Sequence, residues 1–420
     1  MQASSPLSSG ERSLAAYIDA HNQDALALLE RVVNINSGTQ NFAGVQEVGR
    51  IFRAEFDALG FSTRWIDGAA FKRAGHLVAD HPGKGPRILL IGHLDTVFEK
   101  DSPFQKLERI DERTARGPGI IDMKGGNVVM IAALKALHAS GVLQDMNVVA
   151  VLTGDEEDAG EPLAGAREAL VAAAKGADVA IGFEDGPADP KLAVTARRGT
   201  TGWEVRVQGA PAHSSQIFRE DIGYGALFEL ARILNTFRER MAGEPHLTFN
   251  PGVALGGTTV EFDPVQLRGS AFGKTNVIAE HAVVSGDLRA LSREQFDQAK
   301  AAMTEIVAAS LPHTSATIRF DEGYPPMAPT EGNAKLLGMY DQASRDLGFG
   351  PVTAVSPDRA GAADVSFAAQ YVKTAIDGVG LMGHSDHTVK ETADLATLPS
   401  QTKRMAVLLL RLVAGGMPKP

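Results

Sequence analysis

The sequence predicts an α/β chain: a mostly parallel sheet covered by helices, interrupted by an inserted α+β domain of the split βαβ kind. Three observations carry the prediction. Short apolar runs bounded by Gly and Pro alternate with stretches of helical periodicity, as in a parallel sheet with covered faces. At Gly199–Thr201 the character changes to strands that alternate polar and apolar residues. Beyond Asp321 the first pattern returns. Residues 1–199 and 321–420 are therefore expected to form one domain and residues 200–320 an insertion.

Apolar residues recur at helical spacing from Ser13 to Val33 and again from Val45 to Leu59, where Gly60 closes the helix. Strands are expected at Phe61–Ile66, His76–Asp80 and Arg87–Ile91. A glycine-flanked loop containing Asp122 precedes a helix over Asn127–Ser140, and buried strands follow at Met146–Leu152 and Ala177–Phe183. In the insertion the order is strand Trp203–Val207, helix Ile222–Phe237, strands Thr258–Phe262 and Ala282–Arg289, helix Arg293–Ala309 and strand Ala316–Phe320. The last segment supplies helix Asn333–Leu347, strands Pro351–Ser356 and Thr374–Met382, and helix Ser400–Ala414.

Composition narrows the function. The chain has 420 residues, 44% of them apolar, with a net charge of −10 that leaves no basic footprint for nucleic acid or an anionic membrane. It has no cysteine, so any metal must be held by His, Asp and Glu, a donor set that suits zinc and also cobalt or manganese. No apolar run approaches the roughly 20 residues that cross a bilayer. The opening MQASSPLSSGERS is small and polar, like the start of a mature exported chain, and fits a periplasmic or secreted location as well as a cytoplasmic one.

Ligands of an open parallel sheet bind beyond the carboxyl ends of its strands. His93, Glu156, Glu157, Glu184 and His384 each lie within a few residues of such an end, and Asp122 lies in the loop after one. Singly, each has an ordinary reading: a structural histidine, a solvated acidic turn, a helix N-cap. Asp185 competes with Glu184, and His387 with His384. Together they exceed the three or four ligands of a one-metal site, which points to two divalent ions sharing one carboxylate. Asp122, Glu157 and Glu184 would offset three of the four positive charges, leaving Glu156 as general base.

The motifs GHLDT, GIIDMKGG, TGDEEDAG, FED and GHSDH, in this order and with an inserted domain, resemble the co-catalytic zinc peptidase family that includes glutamate carboxypeptidases (the carboxypeptidase G type), aminoacylases and succinyl-diaminopimelate desuccinylase. The resemblance implies a zinc exopeptidase-like catalytic domain with a ferredoxin-like lid and dimerisation domain, and two zinc ions replaceable by cobalt or manganese. It places His93 and Glu184 on one ion, Glu157 and His384 on the other, Asp122 between them, Glu156 as base and Asp95 in support. It also implies that His213 reaches the partner subunit's site in a homodimer, and that Asn276, Arg289, Arg197 and Arg198 hold substrate. Glu184 and the stretch Gly361–Ala369 favour the glutamate carboxypeptidase branch, whereas Arg197 and Arg198 resemble the desuccinylase branch. The expected reaction is hydrolysis of an amide next to a free carboxylate in a small peptide or N-acyl amino acid. The alternatives are an aminopeptidase, desuccinylase or allantoate-type amidohydrolase of the same fold, or a non-catalytic binding dimer.

Overall fold

The structure, a computed structural model, describes residues 7–415 apart from Pro187 and Val265. The start of the small polar leader-like stretch, Met1–Pro6, lies outside the described residues. Two compact units are present: one runs up to Arg197 and resumes at Met327, and the other is Arg198–Pro326. Where the chain leaves and re-enters the first unit, Arg197 and Met327 pair as an isolated antiparallel bridge.

The first unit is built on a six-stranded sheet ordered Ser62–Asp67, Gly75–His81, Met146–Thr153, Lys84–His93, Val179–Gly182 and Ala375–Ile376. Its first two strands are antiparallel additions, and the last four run parallel. The central strand Lys84–His93 is buried without interruption from Ile88 onward, which is why it reads as a continuous apolar run instead of an alternating one. Its register matters most for function. His93 pairs with Thr153 and Ile91 with Gly182, so three parallel strands end at one level and deliver the residues that follow them to one crevice.

Helix Gly126–Ala139 is buried nearly all round and helix Thr397–Gly415 packs beside it. The expected helix Ser13–Val33 is two helices, Ser9–Ala20 and Asn22–Val33. The break falls at His21, whose backbone N–H closes onto the Tyr17 carbonyl while its ring stacks on Tyr17. No Gly or Pro marks it. The expected strand Thr374–Met382 is regular only over Ala375–Ile376, because the chain then turns into the site, and Pro351–Ser356 pairs only at Thr353–Ala354.

The second unit is a four-stranded antiparallel sheet ordered Thr248–Gly257, His281–Ala290, Gly199–Gly209 and Thr314–Phe320, packed against helices Gly225–Met241 and Arg293–Ala308. Trp203, Val205, Ile233, Phe237, Val284, Leu288 and Met303 form its core. Its second strand in chain order is Thr248–Gly257, not the expected Thr258–Phe262. Pro251 and glycines disguise that strand in the sequence, and they are tolerated because it lies at the sheet edge with a bulge between Pro251 and Val253. The segment Thr259–Asp263 instead makes a separate hairpin with Arg268–Phe272.

Leu90 is fully buried in the central strand. Leu90→Ala is expected to destabilise the first unit by about 2–5 kcal/mol, read by chemical denaturation; a loss under about 1 kcal/mol would contradict the packing described.

Candidate active site

The ends of the parallel strands carry His93 and the loop Asp155–Glu156–Glu157 into one place, with Glu184 beyond the third strand. Asp122 reaches it from the irregular turn Ile120–Gly125. His93 Nε2 lies 3.1 Å from Asp122 Oδ1 and 3.6 Å from Glu184 Oε1. On the other side of the same carboxylate, Asp122 Oδ2 is 2.9 Å from His387 Nε2, which is 3.2 Å from Glu157 Oε2. The two oxygens of Asp122 thus face two different histidine–glutamate pairs.

His387 is the imidazole that lies beside Asp122 and Glu157 here. His384, the expected ligand, lines the same cavity as Asp122, Glu156 and Glu184; it is exposed, pairs through its backbone with Thr392, and among the described residues no hydrogen bond or ion pair joins its side chain to the carboxylates. Ser385 and His387 both adopt left-handed backbone angles (φ 64° and 57°), so the turn after His384 swings the second imidazole toward Asp122. The motif HSDH held both histidines, and only this turn separates them.

Each functional side chain is held by a second polar group. Asp95, fully buried, accepts the backbone N–H of Glu156 (3.0 Å) and of Glu157 (3.2 Å) and the Thr39 hydroxyl (2.7 Å), while its backbone carbonyl lies 3.1 Å from His93 Nδ1. It therefore fixes the ring tautomer and the acidic loop together. Asp155 is gripped by the buried Arg167, which also binds Asp364, and Asp364 accepts the Thr153 hydroxyl. Asp377 accepts the N–H of Glu184 and the guanidinium of Arg197. Arg197, expected to bind substrate, is committed to Asp377 and to the Gly361 carbonyl.

The remaining expected substrate groups belong to the second unit. Exposed His213 and Asn276 lie side by side: Val277 bridges His213, and Ser214 N–H donates to the Asn276 carbonyl. Arg289 is paired with Asp287 at 2.9 Å, and Arg198 donates to Thr248 Oγ1.

The electrostatics are those of a cation site. Burial, with the charge of Asp122 added, pushes Glu157 up to about 7, and burial with Glu184 pushes Glu156 well above the carboxylate range. Hydrogen bonds to Asp122 and Glu157 lift His387 to about 11. Burial opposes a charge on His93, yet Glu184, Asp122 and Asp95 raise it well above its ordinary value. Protons thus neutralise the cluster in the ion-free protein. Glu157 Oε1 is buried with no hydrogen-bond partner, an orphan that a cation would satisfy. Imidazole and carboxylate donors disposed about both Asp122 oxygens fit two divalent ions. Glu156, Asp185 and Arg359 line the adjoining cavity of ≈ 470 Å³ with Asp122, Glu184 and His387.

Residues 89–411 match the model described as Peptidase family M20/M25/M40. The chain belongs to that family. It is a hydrolase of the metallopeptidase and amidohydrolase class. Among M20 relatives, carboxypeptidase G2 of Pseudomonas sp. (strain RS-16) is 29% identical over 398 residues, covering 92% of this chain and 89% of its own. The crystal structure of aminopeptidase PepT from Bacillus cereus superposes with a TM-score of 0.71 at 18% identity, over 92% of this chain and 98% of that one. The YXEP protein of Bacillus subtilis, described as a dinuclear metal binding peptidase of the M20 family, gives 0.64 at 14% identity over 94% and 99%. Among the described residues no helix is long and apolar enough to cross a membrane.

Asp95→Ala would leave two loop amides and the Thr39 hydroxyl without their acceptor. An unsatisfied buried donor costs about 1–3 kcal/mol. The ion-free variant is expected to melt several degrees lower in calorimetry, and an unchanged melting temperature would count against this role.

Proposed function

We propose that this M20 enzyme is a di-zinc hydrolase of an amide bond next to a free carboxylate, acting as a carboxypeptidase that releases glutamate-type residues or as an N-acyl amino acid amidohydrolase. The observation that carries the reading is the division of Asp122 between two histidine–glutamate pairs. His93 and Glu184 would hold one ion and Glu157 the other with His384, or with His387, which lies nearer to Asp122 here; Asp122 would be shared, and cobalt or manganese could replace zinc. When bound, such ions supply Lewis acidity toward the scissile carbonyl and acidify water.

The chain's own residues do the rest. Glu156 lines the cavity beside these ligands, and its raised proton affinity suits it to take a proton from the attacking water and return it to the leaving nitrogen. Asp95 keeps the Glu156 backbone in place during the transfer. His213 of the partner subunit would stabilise the negative charge developing on the carbonyl oxygen, and Asn276 and Arg289 would orient the substrate carboxylate. This makes the second unit a lid and dimerisation domain and the homodimer part of the mechanism. Exposed Phe218, Leu227 and Phe228 give that unit an apolar surface suited to a second copy. The overall likeness to carboxypeptidase G2 supports the substrate class.

One observation favours a second reading. Asp185 and Asp386 line the same cavity while Arg197 is taken up by Asp377, which would suit a free substrate amine and hence an aminopeptidase. Hydrolysis of dipeptides, N-acyl amino acids and amino-acid amides, scored by which product appears, separates the two. Release of the C-terminal amino acid from N-blocked substrates is the expected result, and a strict requirement for a free amine would overturn the carboxylate reading.

Glu156→Gln is expected to lower turnover by about 10²–10⁴-fold with unchanged metal content by elemental analysis. Full activity in that variant would remove the assigned base. His213→Ala alone is also expected to be severely impaired, whereas co-expression with Glu156→Gln should restore part of the activity, because one site in the mixed dimer keeps both groups. If the mixture stays as inactive as its parents, His213 does not act across the dimer.

A further inference from the structure

We infer that Glu391 is a positioning residue of the metal site that holds the Asp122 loop against the turn carrying His384 and His387. The inference rests on the two-ion reading above and concerns a residue outside the proposed ligand set.

Glu391 is fully buried, and its carboxylate accepts three backbone N–H groups from the loop: Gly119 at 3.0 Å, Ile121 at 2.9 Å and Asp122 at 3.3 Å. Its own carbonyl accepts Gly117 N–H at 3.3 Å. The loop offers these donors because its backbone is irregular. Gly119 has φ 68°, and a Cβ there would fall 2.3 Å from the Thr96 methyl. Asp122 and Met123 carry non-helical angles, so neighbouring turns cannot satisfy the amides. The carboxyl group takes the three donors on both of its oxygens, Ile121 and Asp122 on Oε1 and Gly119 on Oε2.

The other end of Glu391 belongs to the histidine. Its N–H donates to the Thr388 carbonyl at 3.0 Å, and Thr388 binds the Ser385 carbonyl through both its N–H and its hydroxyl, closing a turn around His387. Glu391 therefore joins two segments some 270 positions apart in sequence, holding the Asp122 loop through its side chain and the His387 turn through its backbone. Lys124 of the same loop is fully buried, with its Nζ on the Ile35 carbonyl at 2.9 Å, and burial lowers its proton affinity to a pKa of about 7. By contrast, the His93–Glu184 half is held separately, by Asp95 and Asp377. Loss of the Glu391 carboxyl group should then act through Asp122, which the two ions would share.

The test compares full-length wild type, E391Q and E391D. Each is stripped of metal and titrated with Co²⁺, with visible absorption and bound metal as readouts and circular dichroism for the fold. Glutamine keeps the shape but turns an N–H₂ toward a backbone N–H. The wild type should take two equivalents. E391Q should bind Co²⁺ about 10–100-fold less well, as expected for a group that orients a shared ligand, and E391D should fall between. Two equivalents of unchanged affinity in E391Q overturn the inference. If E391Q fails to fold, E391D decides by the same criterion; failure of both to fold would make Glu391 a general folding determinant and also overturn it. A wild type that binds a single equivalent would instead remove the two-ion reading.

Discussion

The catalytic unit is governed by one constraint: several carboxylates must share a space largely closed to water. Asp122, Glu157 and Glu184 are held around two imidazoles, with Glu156 and Asp185 close by. Ionised acids removed from water cost several kcal/mol each unless they are paired. Without cations the chain meets the constraint by drawing protons onto His93, His387 and the glutamates. The same crowding that makes the ion-free state electrostatically awkward is what gives divalent ions their affinity.

The supporting acids follow from this. Asp95, Asp155, Asp377 and Glu391 are themselves buried, yet none faces the centre; each accepts backbone N–H groups of the segments that do. A carboxylate is well suited to that task because it has more acceptor sites than any neutral side chain. Parallel strand ends leave unpaired amides where the loops begin, and these acids satisfy them. The sheet register sets the level at which the ligands emerge, and the second set of acids fixes the direction in which they point.

Much of this was legible in the sequence because strand ends are. Apolar runs stopping at His93, Thr153 and Phe183 announce where functional groups emerge, and Glu157, Glu184 and Asp122 meet where the motifs place them. The two histidines at the C-terminal end were legible only as a pair, since which imidazole faces Asp122 depends on the left-handed backbone of Ser385 and His387, neither of them glycine. The edge strand Thr248–Gly257 was hidden by Pro251, because propensity speaks against proline in a strand and only the sheet order reveals an edge. Arg197 illustrates a different limit: an arginine next to a ligand-rich segment reads as a substrate anchor, and its ion pair with Asp377 leaves no mark in the sequence. Long-range pairing of charges leaves no periodic trace.

These pairings also explain how the first unit survives being interrupted. The segment after Met327 returns little regular strand to the main sheet, only Ala375–Ile376. It returns three buried acids instead. Asp364 binds Arg167 and Thr153 near the base loop, Asp377 holds Glu184 and Arg197, and Glu391 holds the Asp122 loop. Each acid reaches a different ligand-bearing segment of the earlier half, so the two halves are joined at the site itself as well as through the hydrophobic core. The arrangement makes completion of the metal cluster dependent on closure of the chain.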